Sequence, residues 1–281
     1  MTASPGIMPG ESFEEIEEMM FKNKFNKARA EYGVGEWAGY SYNIGVGCQN
    51  DCKYCYAKAD ALKYGNIHAE AAWPAERVNP FKVDIKDKAD ARVMFPSTHD
   101  ITPAYLNSYI RTLDNMLFAG NEVLVVTKPR LESVREICHR FSYYMDKMEF
   151  RFTIGTLDDK VSKFWEPGAP LPLERLQALK HAYDAGFRTS VSMEPMLEGC
   201  IEAVCVYKTV EPFVNGTIWI GLMNKLDERV DMTVKENELA VNKIRSLQSD
   251  NSIMKLYREL KDETKVRWKD SIREVVKRRV M

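Results

Sequence analysis

Six short apolar stretches alternate with segments of helical character between residues 38 and 223, and this alternation constrains the fold more than any other feature. The stretch NEVLVVTK (121–128) contains a continuous branched run, as expected of a parallel strand covered on both faces. The expected strands are 38–47, 91–97, 121–128, 149–157, 187–195 and 216–223. The expected helices are 56–65, 102–120, 129–145, 172–186 and 202–214. Because parallel strands require crossover connections, the sequence predicts an α/β protein with a mainly parallel sheet.

The chain has 281 residues and contains no internal repeat or Gly/Ser linker, which favours one main domain with short terminal additions. The expected division is an N-terminal helical extension (1–37), the main domain (38–230) and a helical C-terminal extension (231–281) packed on it. The net charge of -1 gives no sign of general nucleic-acid binding. No apolar run approaches the ~20 residues of a membrane span and no signal peptide is recognisable, so we expect a cytoplasmic protein with reduced thiols.

Three cysteines, Cys48, Cys52 and Cys55, stand close together in the pattern C-x3-C-x2-C. A disulfide would leave one of these thiols over, and the other three cysteines are distant in sequence. Structural zinc prefers four ligands, for which His68 is a candidate fourth. An iron-sulfur cluster held by three thiolates would leave one iron open to a small molecule. A zinc-binding or iron-sulfur sensor without catalytic activity therefore remains an alternative to an enzyme.

This cysteine pattern, with Tyr54 just before the third cysteine, resembles the signature of the radical S-adenosylmethionine (SAM) enzymes. The resemblance implies a [4Fe-4S] cluster whose open iron chelates SAM and whose electron cleaves the sulfonium to a 5′-deoxyadenosyl radical. It also implies a partial (βα)6 TIM-like barrel in which the cluster loop follows the first strand. A reductant protein such as flavodoxin or ferredoxin is the expected partner, and we expect a monomer.

Three stretches narrow the resemblance to the DNA repair photolyase branch, which includes spore photoproduct lyase. They are NIGVGCQNDCKYCYAK, VVTKPR and WEPGAPLPLERLQALKHAYDAGF. Lys128 resembles the SAM-contacting lysine of that branch. The run STHD (97–100) resembles the short run that carries the branch's hydrogen-donating cysteine, but Ser97 stands where that thiol would be. Since a serine O–H bond is too strong for hydrogen-atom donation, we expect a substrate other than spore photoproduct, either a nucleic acid or a small metabolite.

Candidate site residues lie mostly just past the expected strands, because the loops at the carboxyl ends of barrel strands converge over one mouth. The cysteines Cys48, Cys52 and Cys55 are the expected cluster ligands. The expected cofactor-binding residues are Tyr54, Ser97, Lys128, Thr156 and Glu194. The candidate catalytic residues are Tyr56, His99, Cys200 and Cys205, of which the two cysteines are candidate replacements for the missing thiol donor. We expect Asp100 to cap the helix that follows it.

Overall fold

The structure is a computed structural model that describes residues 24–28 and 33–280. The predicted N-terminal helical extension therefore lies mainly outside the described residues. The part of it that is described contains a strand, Asn26–Lys27, and a short 3-10 helix, Gly33–Glu36.

The described residues form ten strands, of which eight make one sheet and two make a small separate sheet. The strands are β1 (Asn26–Lys27), β2 (Tyr40–Ser41), β3 (Gly45–Val46), β4 (Arg77–Val78), β5 (Val93–Phe95), β6 (Val123–Thr127), β7 (Met148–Thr153), β8 (Arg188–Met193), β9 (Ile218–Ile220) and β10 (Val266–Trp268). The order in the main sheet is β1-β2-β5-β6-β7-β8-β9-β10. Only β1 runs antiparallel in this sheet, along β2, and the other neighbours are parallel.

Ten α-helices lie within the described residues, and most of them supply the crossovers that parallel neighbours need. They are α1 (Tyr56–Lys63), α2 (Leu106–Phe118), α3 (Leu131–Arg140), α4 (Asp159–Trp165), α5 (Pro172–Asp184), α6 (Cys200–Val210), α7 (Leu226–Arg229), α8 (Lys235–Leu247), α9 (Asp250–Leu260) and α10 (Asp270–Val280). Within the described residues, no helix is both long and apolar enough to cross a bilayer.

Both faces of the central strands are buried, but the two faces differ in chemistry. In β7 all six residues are buried, and Phe150 and Phe152 belong to the main apolar core. The alternate residues Glu149 and Arg151 point the other way, because successive strand side chains alternate between faces. There Arg151 lies with its guanidinium carbon 4.8 Å from the Trp37 ring centroid. The sheet therefore has an apolar face beneath helices and a polar face that leads towards the site.

The structure confirms the parallel α/β sheet, and it corrects two details. The stretch 38–47 is not one strand, because β2 joins the main sheet whereas β3 pairs with β4. The C-terminal region is not purely helical, since Val266–Trp268 pairs in parallel with Ile218–Ile220. A three-residue strand between charged segments carries little periodic signal of its own, so only its pairing reveals it. The strand order suits a partial (βα)6 barrel, which stays a prediction.

Candidate functional site

The three clustered cysteines lie on the loop that connects the small sheet to α1. The backbone of this loop is held in place, because Cys48 N donates to Trp73 O at 2.9 Å and Cys55 N donates to Cys52 O at 3.2 Å. Gly47 just before it has φ +94°, and a Cβ there would lie 2.8 Å from the same Trp73 oxygen. Glycine is therefore the residue that fits. The loop presents three free thiols from a fixed backbone.

Burial raises the pKa of each of these thiols, that of Cys52 to about 12. The charge of Lys128 opposes this rise at Cys52 and Cys55. In the described part of the chain, no three His, Cys, Asp or Glu side chains converge as closely as metal ligands do. His68, the candidate fourth zinc ligand, is exposed and is not part of the cavity wall that the cysteines form. The candidate fourth zinc ligand His68 therefore does not lie with the three thiols.

A cavity of about 420 Å³ opens between the cysteine loop and the carboxyl ends of the central strands. All three cysteines line it. Six further residues expected at the site also line it: Tyr54, Tyr56, Ser97, His99, Lys128 and Glu194. The expectation that polar residues past the strands meet at one mouth therefore holds for Ser97, His99, Lys128 and Glu194.

Lys128 ends β6 at the cavity and belongs to a buried group of charges. Its Nζ lies 3.7 Å from Oε1 of Glu166, which also accepts a hydrogen bond from the hydroxyl of Tyr54. The other carboxylate oxygen of Glu166 accepts from Nη2 of Arg175 at 2.5 Å. Burial favours the neutral amine, but the charges of Cys52, Glu166 and Asp100 outweigh it and raise the pKa of Lys128. The cavity wall therefore carries a stable ammonium group beside Cys52.

Asp100 joins the cysteine loop to the strand ends and does not cap a helix. Its carboxylate accepts from Asn50 Nδ2 at 2.7 Å, Lys128 N at 2.9 Å and Ile101 N at 2.7 Å, and also from the hydroxyl of Thr127. The helical segment that follows begins after Thr102. The prediction of a helix cap is therefore wrong. Three of the four donors come from segments distant in sequence, so the residues around Asp100 could not predict these hydrogen bonds.

The loop after β5 is held by side chains from the strand region before the cysteines. Ser97 N donates to Asn43 Oδ1 and its hydroxyl accepts from Asn43 Nδ2, both at 2.7 Å. His99 Nε2 accepts from Ile44 N at 3.1 Å, and burial lowers the pKa of His99 to about 4. The hydroxyl of Tyr56 donates to Ser97 O. His99 is therefore neutral, and the hydrogen bond from Ile44 N to its Nε2 holds this loop in place.

The opposite wall combines Glu194 with residues from both ends of the chain. Glu194 Oε2 lies 3.2 Å from Nζ of Lys269, which also pairs with Glu36. Burial raises the pKa of Glu194, and Lys269 opposes the rise. Trp37 and Ser192 line the same cavity, and in the described residues neither Trp37 Nε1 nor Ser192 Oγ has a hydrogen-bond partner although both atoms are buried. This wall therefore offers two polar atoms to a ligand.

Three expected site residues lie outside the cavity wall. The hydroxyl of Thr156 donates to Glu198 and accepts from Asp158 N at 2.9 Å, which makes it a link between loops. Cys200 begins the outer helix α6 and its Sγ donates to Ser252 O at 2.9 Å. Cys205 is exposed on the same helix. Neither cysteine is among the residues that line the cavity, so the geometry does not support either one as a hydrogen donor.

Several site residues carried no clear local signal in the sequence. Glu166 and Arg175 belong to the stretch that resembles the photolyase branch, but nothing around them distinguishes them from ordinary surface charges. Trp37 and Lys269 reach the cavity from the two ends of the described chain. In the fold, Glu166 pairs with Arg175, and the Nζ atom of Lys269 lies 4.4 Å from the Trp37 ring centroid, which no local pattern in the sequence indicates.

No family model matches the sequence. One relative is the uncharacterized protein ORF301 of Acidianus two-tailed virus, 28% identical over 179 residues, which are 58% of this chain and 58% of the relative. Another is the uncharacterized protein MJ0683 of Methanocaldococcus jannaschii, 24% identical over 181 residues, 63% of this chain and 68% of the relative. The match thus spans less than two thirds of the viral relative's length.

Solved structures with a similar fold include two of spore photoproduct lyase mutants. One, with dinucleoside spore photoproduct, has a TM-score of 0.52 at 18% identity and covers 81% of this chain and 64% of that chain. Another, with bound AdoMet and the dinucleoside, has a TM-score of 0.50 at 16% identity and covers 98% and 85%. Streptococcus suis SuiB bound to precursor peptide SuiA has a TM-score of 0.54 at 9% identity and covers 99% and 59%. The chain therefore has a fold similar to that of spore photoproduct lyase.

Proposed function

We propose that this protein is a radical SAM enzyme that holds a [4Fe-4S] cluster through Cys48, Cys52 and Cys55. The observation that carries the proposal is that three thiols in C-x3-C-x2-C spacing line one cavity together with the Lys128 ammonium. Three thiolates suit an iron-sulfur cluster with one iron left for a further ligand. The similarity in fold to a spore photoproduct lyase structure with bound AdoMet supports the same cofactor here.

The chemistry of the cavity fits SAM as a ligand. Buried polar atoms in folded proteins are normally hydrogen-bonded, so the unpartnered atoms Trp37 Nε1 and Ser192 Oγ in the described chain favour a polar ligand between them and the cysteines. Lys128 supplies the positive charge that a carboxylate needs. Glu194 supplies a carboxylate that can accept hydrogen bonds from ribose hydroxyls.

When bound, the cluster would supply the electron that cleaves the sulfonium of SAM to a 5′-deoxyadenosyl radical. In the proposed mechanism Lys128 binds and orients the SAM carboxylate, while the ring of Tyr54 packs beside Cys52. Tyr56 is the aromatic contact on the substrate side, and its bond to Ser97 O keeps its ring at the cavity. His99 holds the loop that carries Ser97, since its Nε2 already accepts from Ile44 N.

The reaction we propose is hydrogen abstraction from a substrate other than spore photoproduct. In the described residues, the cavity wall contains no cysteine besides the three clustered ones. The described part of the wall therefore has no further thiol that could donate a hydrogen atom in place of Ser97, which supports a reaction other than the repair of spore photoproduct. The similar structures hold a dinucleoside in one protein and a peptide in another, so the fold alone does not select nucleic acid or small metabolite as the substrate.

The electron donor that we propose is a flavodoxin- or ferredoxin-type protein, because the reaction needs one external electron for each cleavage of SAM. A cytoplasmic location suits this chemistry, since that compartment keeps thiols reduced. We propose a monomer, since one chain supplies the three proposed cluster ligands and Lys128 and the proposed site needs no second copy.

The test is anaerobic reconstitution followed by metal and product analysis. Wild-type protein should be brown, bind about four irons per chain and form 5′-deoxyadenosine with reductant and SAM. Cys55→Ala should abolish cluster binding and 5′-deoxyadenosine formation. The matched variant Cys205→Ala should keep both, because Cys205 is exposed on an outer helix. Persistent deoxyadenosine formation by Cys55→Ala would refute the ligand assignment.

The same measurements distinguish a radical SAM enzyme from the alternative functions. Colourless protein with stoichiometric zinc would indicate a metal-stapled binding module. A stable cluster without SAM cleavage would indicate an iron-sulfur sensor or electron carrier.

A further inference from the structure

Glu166 is a buried carboxylate directly behind the cavity wall, and the proposed mechanism gives it no role. It is 1% exposed and follows the last residue of α4. Its two oxygens contact three side chains from different parts of the chain: Tyr54 from the cysteine loop, Lys128 from the end of β6 and Arg175 from α5. Glu166 therefore links the cysteine loop to the cation at the cavity.

Arg175 is fixed independently of Lys128. Its guanidinium donates to Pro170 O at 2.7 Å, to Thr153 O at 3.3 Å and to Ser162 Oγ at 3.2 Å, besides its bond to Glu166. These contacts fix the position of the Arg175 guanidinium group. Its bond to Glu166 Oε2 orients the carboxylate so that Oε1 faces Lys128 and Tyr54.

Lys128 has a looser environment than Arg175. Its Nζ is 3.7 Å from Glu166 Oε1, beyond hydrogen-bond distance, and among the described residues no other carboxylate forms an ion pair with it. Its side chain is 15% exposed and lines the cavity. An ammonium group carries three N–H donors, so donors remain for a ligand in the cavity. Glu166 thus attracts the Lys128 ammonium group from the side away from the cavity, and N–H donors of the ammonium group remain available to a ligand in the cavity.

Glu166 is ionised in this environment. Burial opposes ionisation, but the charges of Arg175 and Lys128 outweigh it and hold the pKa of Glu166 below its ordinary value. A neutral residue of the same shape would keep a hydrogen bond to Arg175, but it would lose the attraction that directs Lys128.

We propose that Glu166 is a positioning residue that acts through Lys128 and holds its ammonium group in the direction required to bind the carboxylate of SAM. This role rests on the proposed function, because it requires SAM to bind in the cavity. For comparison, mutation of the hydrogen-bond partners of metal ligands commonly changes metal affinity about 10- to 100-fold. We expect the lower end of this range, since the contact to Lys128 is long.

The test is a double-mutant cycle in the cluster-loaded, unreduced protein, with SAM affinity measured by equilibrium dialysis. Glu166→Gln should weaken SAM binding about tenfold in the wild-type background. In a Lys128→Met background the same change should have an effect of less than about twofold, because the group through which it acts is gone. Glu132→Gln is the matched control, since Glu132 is 82% exposed in a surface pair and should leave SAM affinity unchanged.

Iron content and thermal unfolding of each variant show whether the fold and the cluster are retained. If Glu166→Gln loses the cluster, Glu166→Asp replaces it in the cycle, because its shorter side chain keeps the charge but moves it away from Lys128. It should then weaken SAM binding in the wild-type background and have an effect of less than about twofold in the Lys128→Met background. Equal losses of affinity in both Lys128 backgrounds, or no loss in either, would overturn the role of Glu166 while the proposed function stands. Wild-type protein that carries a cluster but does not bind SAM would overturn the proposed function and this role with it.

Discussion

Gly168→Ala should loosen the cysteine loop, because Gly168 allows the segment after α4 to touch that loop. A Cβ at position 168 would lie 1.9 Å from Gln49 O and 2.9 Å from its carbonyl carbon. Both obstacles are backbone atoms, so no side-chain rotation relieves the clash. In a close-packed region the two segments must separate by about 1 Å to accept the methyl group.

Two backbone hydrogen bonds connect these two segments, and their loss sets the expected decrease in the free energy of unfolding. Gly168 N donates to Asn50 O at 3.0 Å, and Lys53 N donates to Trp165 O at 2.9 Å. Each is worth about 1 kcal/mol net. We therefore expect a loss of about 2 kcal/mol in the free energy of unfolding and a lower iron content after reconstitution.

Urea unfolding of the metal-free protein and iron analysis after reconstitution measure the two effects. The control is Gly199→Ala, where a Cβ would meet Glu202 Oε2 at 3.0 Å and a Leu247 methyl carbon at 3.4 Å. Those atoms belong to side chains that can move, and the remaining cost is that of alanine at the N-cap of α6, so the control should change stability by about 1 kcal/mol or less and keep the full iron content. A Gly168→Ala protein with the wild-type unfolding midpoint and full iron content would show that the close approach does not hold the loop.

Lys128→Ala should weaken SAM binding roughly tenfold or more while the iron content stays the same, because one charge-assisted contact is lost; unchanged affinity in equilibrium dialysis would contradict this. Acid should remove the stabilisation that ionised Glu166 provides, because Arg175 and Lys128 lower its pKa in the folded state despite burial. The stability difference between wild type and Glu166→Gln should therefore be full above the ordinary pKa of 4.5 and shrink as the pH falls through the lower folded value. Urea unfolding as a function of pH measures it, and a difference that does not change with pH would be inconsistent with the charge pairing. Reduced enzyme with SAM and a spore-photoproduct dinucleotide should form 5′-deoxyadenosine without efficient conversion to thymine dinucleotide, since Ser97 replaces the thiol donor; rapid conversion with SAM regenerated would prove this wrong.

Local sequence patterns were sufficient to predict most of the sheet and its helices. The central strands and the helices α2, α3 and α5 lie within the predicted ranges, because hydrophobic periodicity and Pro or Gly boundaries are properties of neighbouring residues. The parallel arrangement followed from the alternation of these elements. The strand Val266–Trp268 was missed because three residues carry no usable period.

The sequence by itself also determined the cysteine motif, and the strand ends correctly indicated Ser97, His99, Lys128 and Glu194 as cavity residues. It did so because chemistry at the carboxyl ends of parallel strands depends on element order, which is readable along the chain. The expected roles of these residues in binding or catalysis stay predictions.

Only the tertiary structure decided which charges complete the site. Lys269 donates to Gly33 O across 236 positions of sequence, and Glu166 meets Tyr54 across 112. No local pattern links such residues, because their contact depends on how the sheet brings separate segments together. The absence of Cys200 and Cys205 from the cavity wall could likewise be read only from the folded chain.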